Sequence, residues 1–95
     1  MTTTWDEPKR LANLAKHGLD FADFDSCFDG ETALAVPTRP SRTGRSRYLL
    51  IGEWNGDRVV AVIASPLGTE ALSLVSLRYA DPEERESYAR HCAEA

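Results

Sequence analysis

Residues 47–77 read RYLLIGEWNGDRVVAVIASPLGTEALSLVSL, and this stretch decides the fold class. Arg47–Trp54 and Arg58–Ser65 are rich in aliphatic and aromatic residues. Between them lies Asn55-Gly56, a pair that tolerates positive φ and is a strong hairpin signal. Ser65-Pro66-Leu67-Gly68 reads as a second turn and Glu70–Leu77 as the next strand. Three strands joined by short turns make an antiparallel meander. Upstream, Thr32–Val36 is a short strand candidate ended by Pro37.

Helices flank the meander on both sides. Asp6 caps a first helix of about three turns, with Pro8 in its first turn and Gly18 as its stop. Leu11, Leu14 and Ala15 share one face, which is expected to be the packing face. Lys9, Asn13, Lys16 and His17 form a polar stripe opposite. Asp20 then caps a shorter helix carrying Phe21, Phe24 and Phe28 at i, i+3 and i+7, closed by Gly30. Three large rings on one face must be buried, so this stripe reads as core. At the other end Asp81-Pro82-Glu83-Glu84 combines a cap, a first-turn proline and a carboxylate three residues on, which starts a helix running to about Cys92. Helices, a meander and a final helix give an α+β class with helices packed on a small antiparallel sheet.

The chain has 95 residues, 42% of them hydrophobic and 27% charged. Those proportions fit one ordinary globular domain and exclude a disordered tail or a low-complexity chain. The longest apolar run, Val59–Ala64, is far short of the roughly 20 residues that span a bilayer, and no secretory leader pattern is present. Cys27 and Cys92 are 65 positions apart without metal-ligand spacing, so a reducing, cytoplasmic compartment with two free thiols is expected. The net charge is −4, yet residues 37–52 carry +4, all of it arginine: Arg39, Arg42, Arg45 and Arg47. Pro37, Pro40 and Gly44 interrupt regular structure there, so Arg39–Arg47 is expected to be a mobile loop beside the active surface. The nine arginines outnumber two lysines, and the guanidinium fork suits bidentate phosphate binding. A solvated basic loop balancing an acidic neighbour is the alternative.

WDEPKRLANLAKHG at residues 5–18 closely resembles the opening of the BrnT family of bacterial type II toxins. Trp5, Asp6, Lys9, Asn13, Lys16, His17, Gly18 and Phe21 fit its pattern. So do Gly44 and Arg47 before the Leu-Ile-Gly strand, Ser76, Arg78 and Ala80 at the last strand's end, and Glu84, Arg85 and Tyr88 in the final helix. The chain departs at Arg45, where family members usually carry glutamate, at Tyr79, where they often carry arginine, and at Thr3, where an aromatic usually stands. The resemblance implies that residues 1–95 form a single BrnT-like domain with a RelE-like fold, opening on a strand that ends in Trp-Asp. It implies a ribonuclease that arrests growth, neutralised in a hetero-oligomer by a BrnA-like antitoxin. That partner would have a ribbon-helix-helix domain and reach operator DNA on the toxin's behalf.

Cutting RNA without a metal requires a base for the 2′-hydroxyl, cations on the phosphate oxygens and an acid for the leaving 5′-oxygen. No metal-ligand spacing and no cofactor motif is found. Arg47, Arg78 and Arg85, near element ends, are the candidate catalytic cations. His17 is the candidate acid–base, since histidine titrates nearest neutral pH; a histidine in a helix's last turn also interacts with the helix C-terminus without any catalytic role. Lys9, Asn13, Lys16, Arg42, Arg45 and Tyr79 are candidate substrate contacts, although Tyr79, at a strand end, reads more readily as a core tyrosine than as a contact that stacks on a base or donates a proton. Arg78 is expected to matter more to cleavage than to stability. A second class stays open: a catalytically weakened relative that serves as a protein-binding module in an operon-repressing complex, for which the low pI of about 5.1 speaks.

Overall fold

The computed structural model describes residues 2–38, 44 and 46–94. In chain order the elements are β1 (Thr2–Trp5), α1 (Glu7–His17), α2 (Phe24–Cys27), β2 (Leu34–Pro37), β3 (Tyr48–Trp54), β4 (Arg58–Leu67), β5 (Ala71–Tyr79) and α3 (Pro82–Glu94). The class is α+β, with a five-stranded sheet in the order β1-β5-β4-β3-β2. From β2 to β5 each neighbouring pair is antiparallel, as the hairpin signal implies. The wholly antiparallel sheet needs one correction. β1 runs parallel to β5, from Thr2 opposite Ala71 to Trp5 opposite Leu74, so the sheet is mixed. A four-residue strand is too short to show a period of its own.

Two smaller corrections concern turns. β4 continues through Pro66 and Leu67, and the chain reverses only at Gly68, whose φ is 65°. The second helix is a 3-10 turn at Phe21–Asp23 followed by the single α turn of α2. Its aromatic stripe nonetheless packs as expected: Phe21 and Phe24 are buried, and Phe28 stacks on Phe24 at 4.7 Å between ring centroids.

Strand register sorts the core into two layers. Val60, Val62, Ala64, Leu74, Leu77 and Trp54 face Leu19, Phe21 and Phe24 on one side. Ile51 and Ala61, paired across β3 and β4, face Tyr88 and Ala80 on the other, beneath α3. Gly52 permits the first layer to close. A Cβ there would lie 2.9 Å from Cζ of Phe28 and 3.1 Å from the Asp29 carbonyl oxygen. Gly52→Ala is therefore expected to cost about 1–3 kcal/mol through overpacking, read as a lower denaturant midpoint at unchanged slope. A midpoint equal to wild type would show that Phe28 moves aside freely.

The polarity of α1 is the reverse of the expected one. Leu11 is 53% and Leu14 37% exposed, and the one buried residue of the helix is Asn13. The reason lies in what α1 covers. β1 stops at Trp5, opposite Leu74, and α1 then runs beside the remainder of β5, where backbone groups need partners. Asn13 supplies them: its Nδ2 donates to the carbonyls of Leu77 (2.8 Å) and Leu19 (3.1 Å), and its Oδ1 accepts from the Leu77 N–H at 3.0 Å. One side-chain amide thus continues the ladder that β1 abandons. Gly18, at φ 73°, ends the helix and donates to the Leu14 carbonyl.

No helix among the described residues is long and apolar enough to cross a membrane.

Candidate functional site

β5 ends at Tyr79, and the chain turns at once into α3. Asp81 and Glu84 build a reciprocal cap there, the Glu84 N–H donating to Asp81 Oδ1 (2.8 Å) and the Asp81 N–H to Glu84 Oε1 (3.0 Å). Arg78 completes the corner. Its Nη1 and Nη2 donate to the two oxygens of Glu84 at 2.7 and 2.9 Å, a bidentate pair. The Arg78 bond holds the Glu84 carboxyl below its ordinary range against the opposing effect of burial, and Glu84 raises the Arg78 guanidinium further. Arg78 is therefore an anchoring ion pair as well as a strand-end cation.

A pH effect follows from this pair. Because the folded-state pKa of Glu84 is depressed, its stabilisation is present above the unfolded value of about 4.3 and is lost as pH falls through the folded one. Asp20 is lowered too, by the Ala22 N–H and then Arg10, and acts in the same direction. The melting temperature is expected to fall below about pH 4.5, and to fall less steeply in Glu84→Gln. Parallel curves for the two proteins would remove Glu84 from the account.

Beside this corner a shallow depression of ≈ 290 Å³ is lined by Asp57, Arg58, Val59, Tyr79, Ala80 and Arg85. Arg85, exposed in the first turns of α3, donates to the Ala80 carbonyl at 3.1 Å. Tyr79 is 43% exposed, so it is not a core tyrosine. A second groove, ≈ 250 Å³, runs between α1 and β5 and is lined by Lys9, Ala12, Asn13, Lys16, His17, Val75 and Ser76. Lys9, Lys16 and His17 thus collect on one wall, while Asn13 has its amide engaged with backbone on the inner side. Ser76 of the groove and Arg78 of the corner alternate along β5 and so share a sheet face, about 7 Å apart.

Arg47 does not join them. It precedes Tyr48, which pairs with Ala64, whereas Arg78 pairs with Ala61. On the strand and sheet spacings this places Arg47 roughly 16 Å from Arg78, towards the opposite end of the sheet. Arg39, Arg42 and Arg45 lie outside the described residues, and with them most of the expected arginine loop. Arg58 was missed by sequence reasoning because it reads as the first residue of a strand. The available signal was its place just after the Asn55-Gly56 turn, where register carries it to the strand end occupied by Tyr79. Among the described residues no three His, Cys, Asp or Glu side chains gather as a metal site.

Residues 5–84 match the family model described as ribonuclease toxin, BrnT, of type II toxin-antitoxin system. Among solved structures, the chain is similar to the crystal structure of the Brucella abortus ribonuclease toxin, BrnT. The TM-score is 0.69 at 45% identity, over 85% of this chain and 99% of that one. A comparison with curated proteins found no match.

Proposed function

The chain belongs to the BrnT family of ribonuclease toxins of type II toxin–antitoxin systems, and from that membership we propose that it cuts RNA along β5 without a bound metal ion. The observation that carries this reading is the adjacency of the two clusters: one strand joins the groove of Lys9, Lys16 and His17 to the corner of Arg78, Tyr79 and Arg85. In the proposed reaction the 2′-oxygen attacks phosphorus and the P–O5′ bond breaks, leaving a 2′,3′-cyclic phosphate and a 5′-hydroxyl. His17 takes the proton of the 2′-hydroxyl. Arg85, with Arg78 behind it, meets the charge that develops on the non-bridging oxygens. Lys9 and Lys16 hold flanking phosphates. Tyr79 lies where a base can stack or a proton can be given to the leaving oxygen. Arg47, at the far end, is read as a contact for a more distant part of the strand, together with Arg42 and Arg45.

The fold is read as RelE-like and one domain, with the protein cytoplasmic like its substrate. A BrnA-like ribbon-helix-helix antitoxin is the proposed partner, forming a hetero-oligomer that touches operator DNA through the antitoxin. Cleavage of RNA by the purified chain should survive excess EDTA and leave 5′-hydroxyl ends; abolition by EDTA would overturn the metal-free reading. A second reading, a weakened relative kept as a protein-binding module, draws on one observation: both terminal nitrogens of Arg78 rest on Glu84. Growth arrest on expression without an antitoxin decides against it.

A further inference from the structure

The β3–β4 turn delivers a cation, Arg58, that the cleavage reading does not use. Asn55 and Gly56 both take positive φ, 56° and 74°, and the Asp57 N–H closes the turn on the Trp54 carbonyl. Trp54 then stands opposite Arg58, and Val60 opposite Tyr79. By the two-residue alternation of strands, Arg58, Val60 and Tyr79 share one face. The Arg58 guanidinium lies over the Tyr79 ring, 5.1 Å from its centroid, and Arg85 lines the same depression from α3. Among the described residues neither Arg58 nor Arg85 is ion-paired, although Asp57 shares the depression. Two guanidiniums with no ion-pair partner among the described residues thus line one depression with an exposed ring.

We propose that Arg58, Tyr79 and Arg85 form a subsite for the backbone of single-stranded RNA, holding one phosphodiester between the two guanidiniums while a neighbouring base lies on the Tyr79 ring. The inference rests on the RNA-cleavage reading and extends it by one residue, Arg58, set beside the phosphate that Arg85 meets there. Two forks suit the non-bridging oxygens of a phosphate. An aromatic face already backed by an arginine is a surface on which any base can stack. An acidic protein segment would use the two charges and leave the ring idle, so the combination favours RNA over a peptide partner. A base held inside a duplex has no free face to offer Tyr79, which favours a single strand.

The test uses the full chain and a 2′-deoxy oligonucleotide of about eight residues, which lacks the attacking hydroxyl and cannot be cut. Arg58→Ala is expected to raise its Kd about tenfold, within the range for losing one stacked or charged contact. It should also lower the salt dependence of binding by about 0.7 in log–log slope, the value for one phosphate on a single strand. Arg58→Lys should restore the slope, because it restores the charge, and recover only part of the affinity, because it lacks the fork. Arg90→Ala, an exposed arginine elsewhere on α3, should bind as wild type. An unchanged Kd and slope in Arg58→Ala would overturn the subsite. So would an Arg58-dependent affinity for hexaglutamate without one for the oligonucleotide, which would assign the depression to a protein partner. If the wild type binds the oligonucleotide through Arg58 yet cuts no RNA, the subsite stands and the nuclease reading falls.

Discussion

Exchange of Asn13 for aspartate is expected to lower folding stability by about 3 kcal/mol and the melting temperature by roughly 12–24 °C. The residue is 8% exposed, and its Nδ2 donates to two carbonyls at once, those of Leu77 and Leu19. Aspartate would set a carboxylate oxygen against both. Alanine should cost slightly less, about 2–3 kcal/mol, since it orphans the Leu77 N–H and two carbonyls without adding a buried charge. Thermal unfolding followed by circular dichroism distinguishes this role from the substrate contact that a polar helix stripe suggests. A variant that melts within about 3 °C of wild type yet binds RNA poorly would return Asn13 to the substrate surface.

Arg85→Ala should reduce RNA cleavage by about 10²–10³-fold, the usual effect of losing one donor to transition-state charge. Its structural cost is confined to one bond to the Ala80 carbonyl, about 0.5–1.5 kcal/mol. Arg78→Ala should behave differently. It strips a bidentate partner from Glu84, whose side chain is 13% exposed, so it is expected to destabilise by about 1–3 kcal/mol besides any effect on rate. Cleavage rates measured well below each variant's melting temperature separate the two arginines. Full activity in Arg85→Ala would remove it from the reacting phosphate.

The β3–β5 meander was legible because Asn55-Gly56 is a local signal and the strands around it are long. α3 was legible from its four opening residues. α1 was read with its faces exchanged: Leu11 and Leu14 look like a packing stripe, but the helix lies against a strand edge, where hydrogen-bonding capacity rather than apolar surface decides the inward face. The candidate site was legible in part. Arg78, Tyr79 and Arg85 are near in sequence and stay near in space. The separation of Arg47 from them, and the arrival of Arg58 among them, both depend on strand register, which includes a shift between Ile63 and Ala64. Register is a tertiary property that a local pattern does not carry.

The Glu84 carboxylate accepts from Arg78 at the end of β5 and from the Asp81 N–H in the loop, and the Glu84 N–H returns a bond to Asp81. A partner that silenced the toxin by prying β5 from α3 would have to break all of them together and expose Tyr88 and Ala80 beneath. Occlusion requires none of this. Inhibition at this corner is therefore best achieved by a lid laid over an unaltered surface, and release of the lid would return the nuclease at once, with no refolding step between freedom and activity.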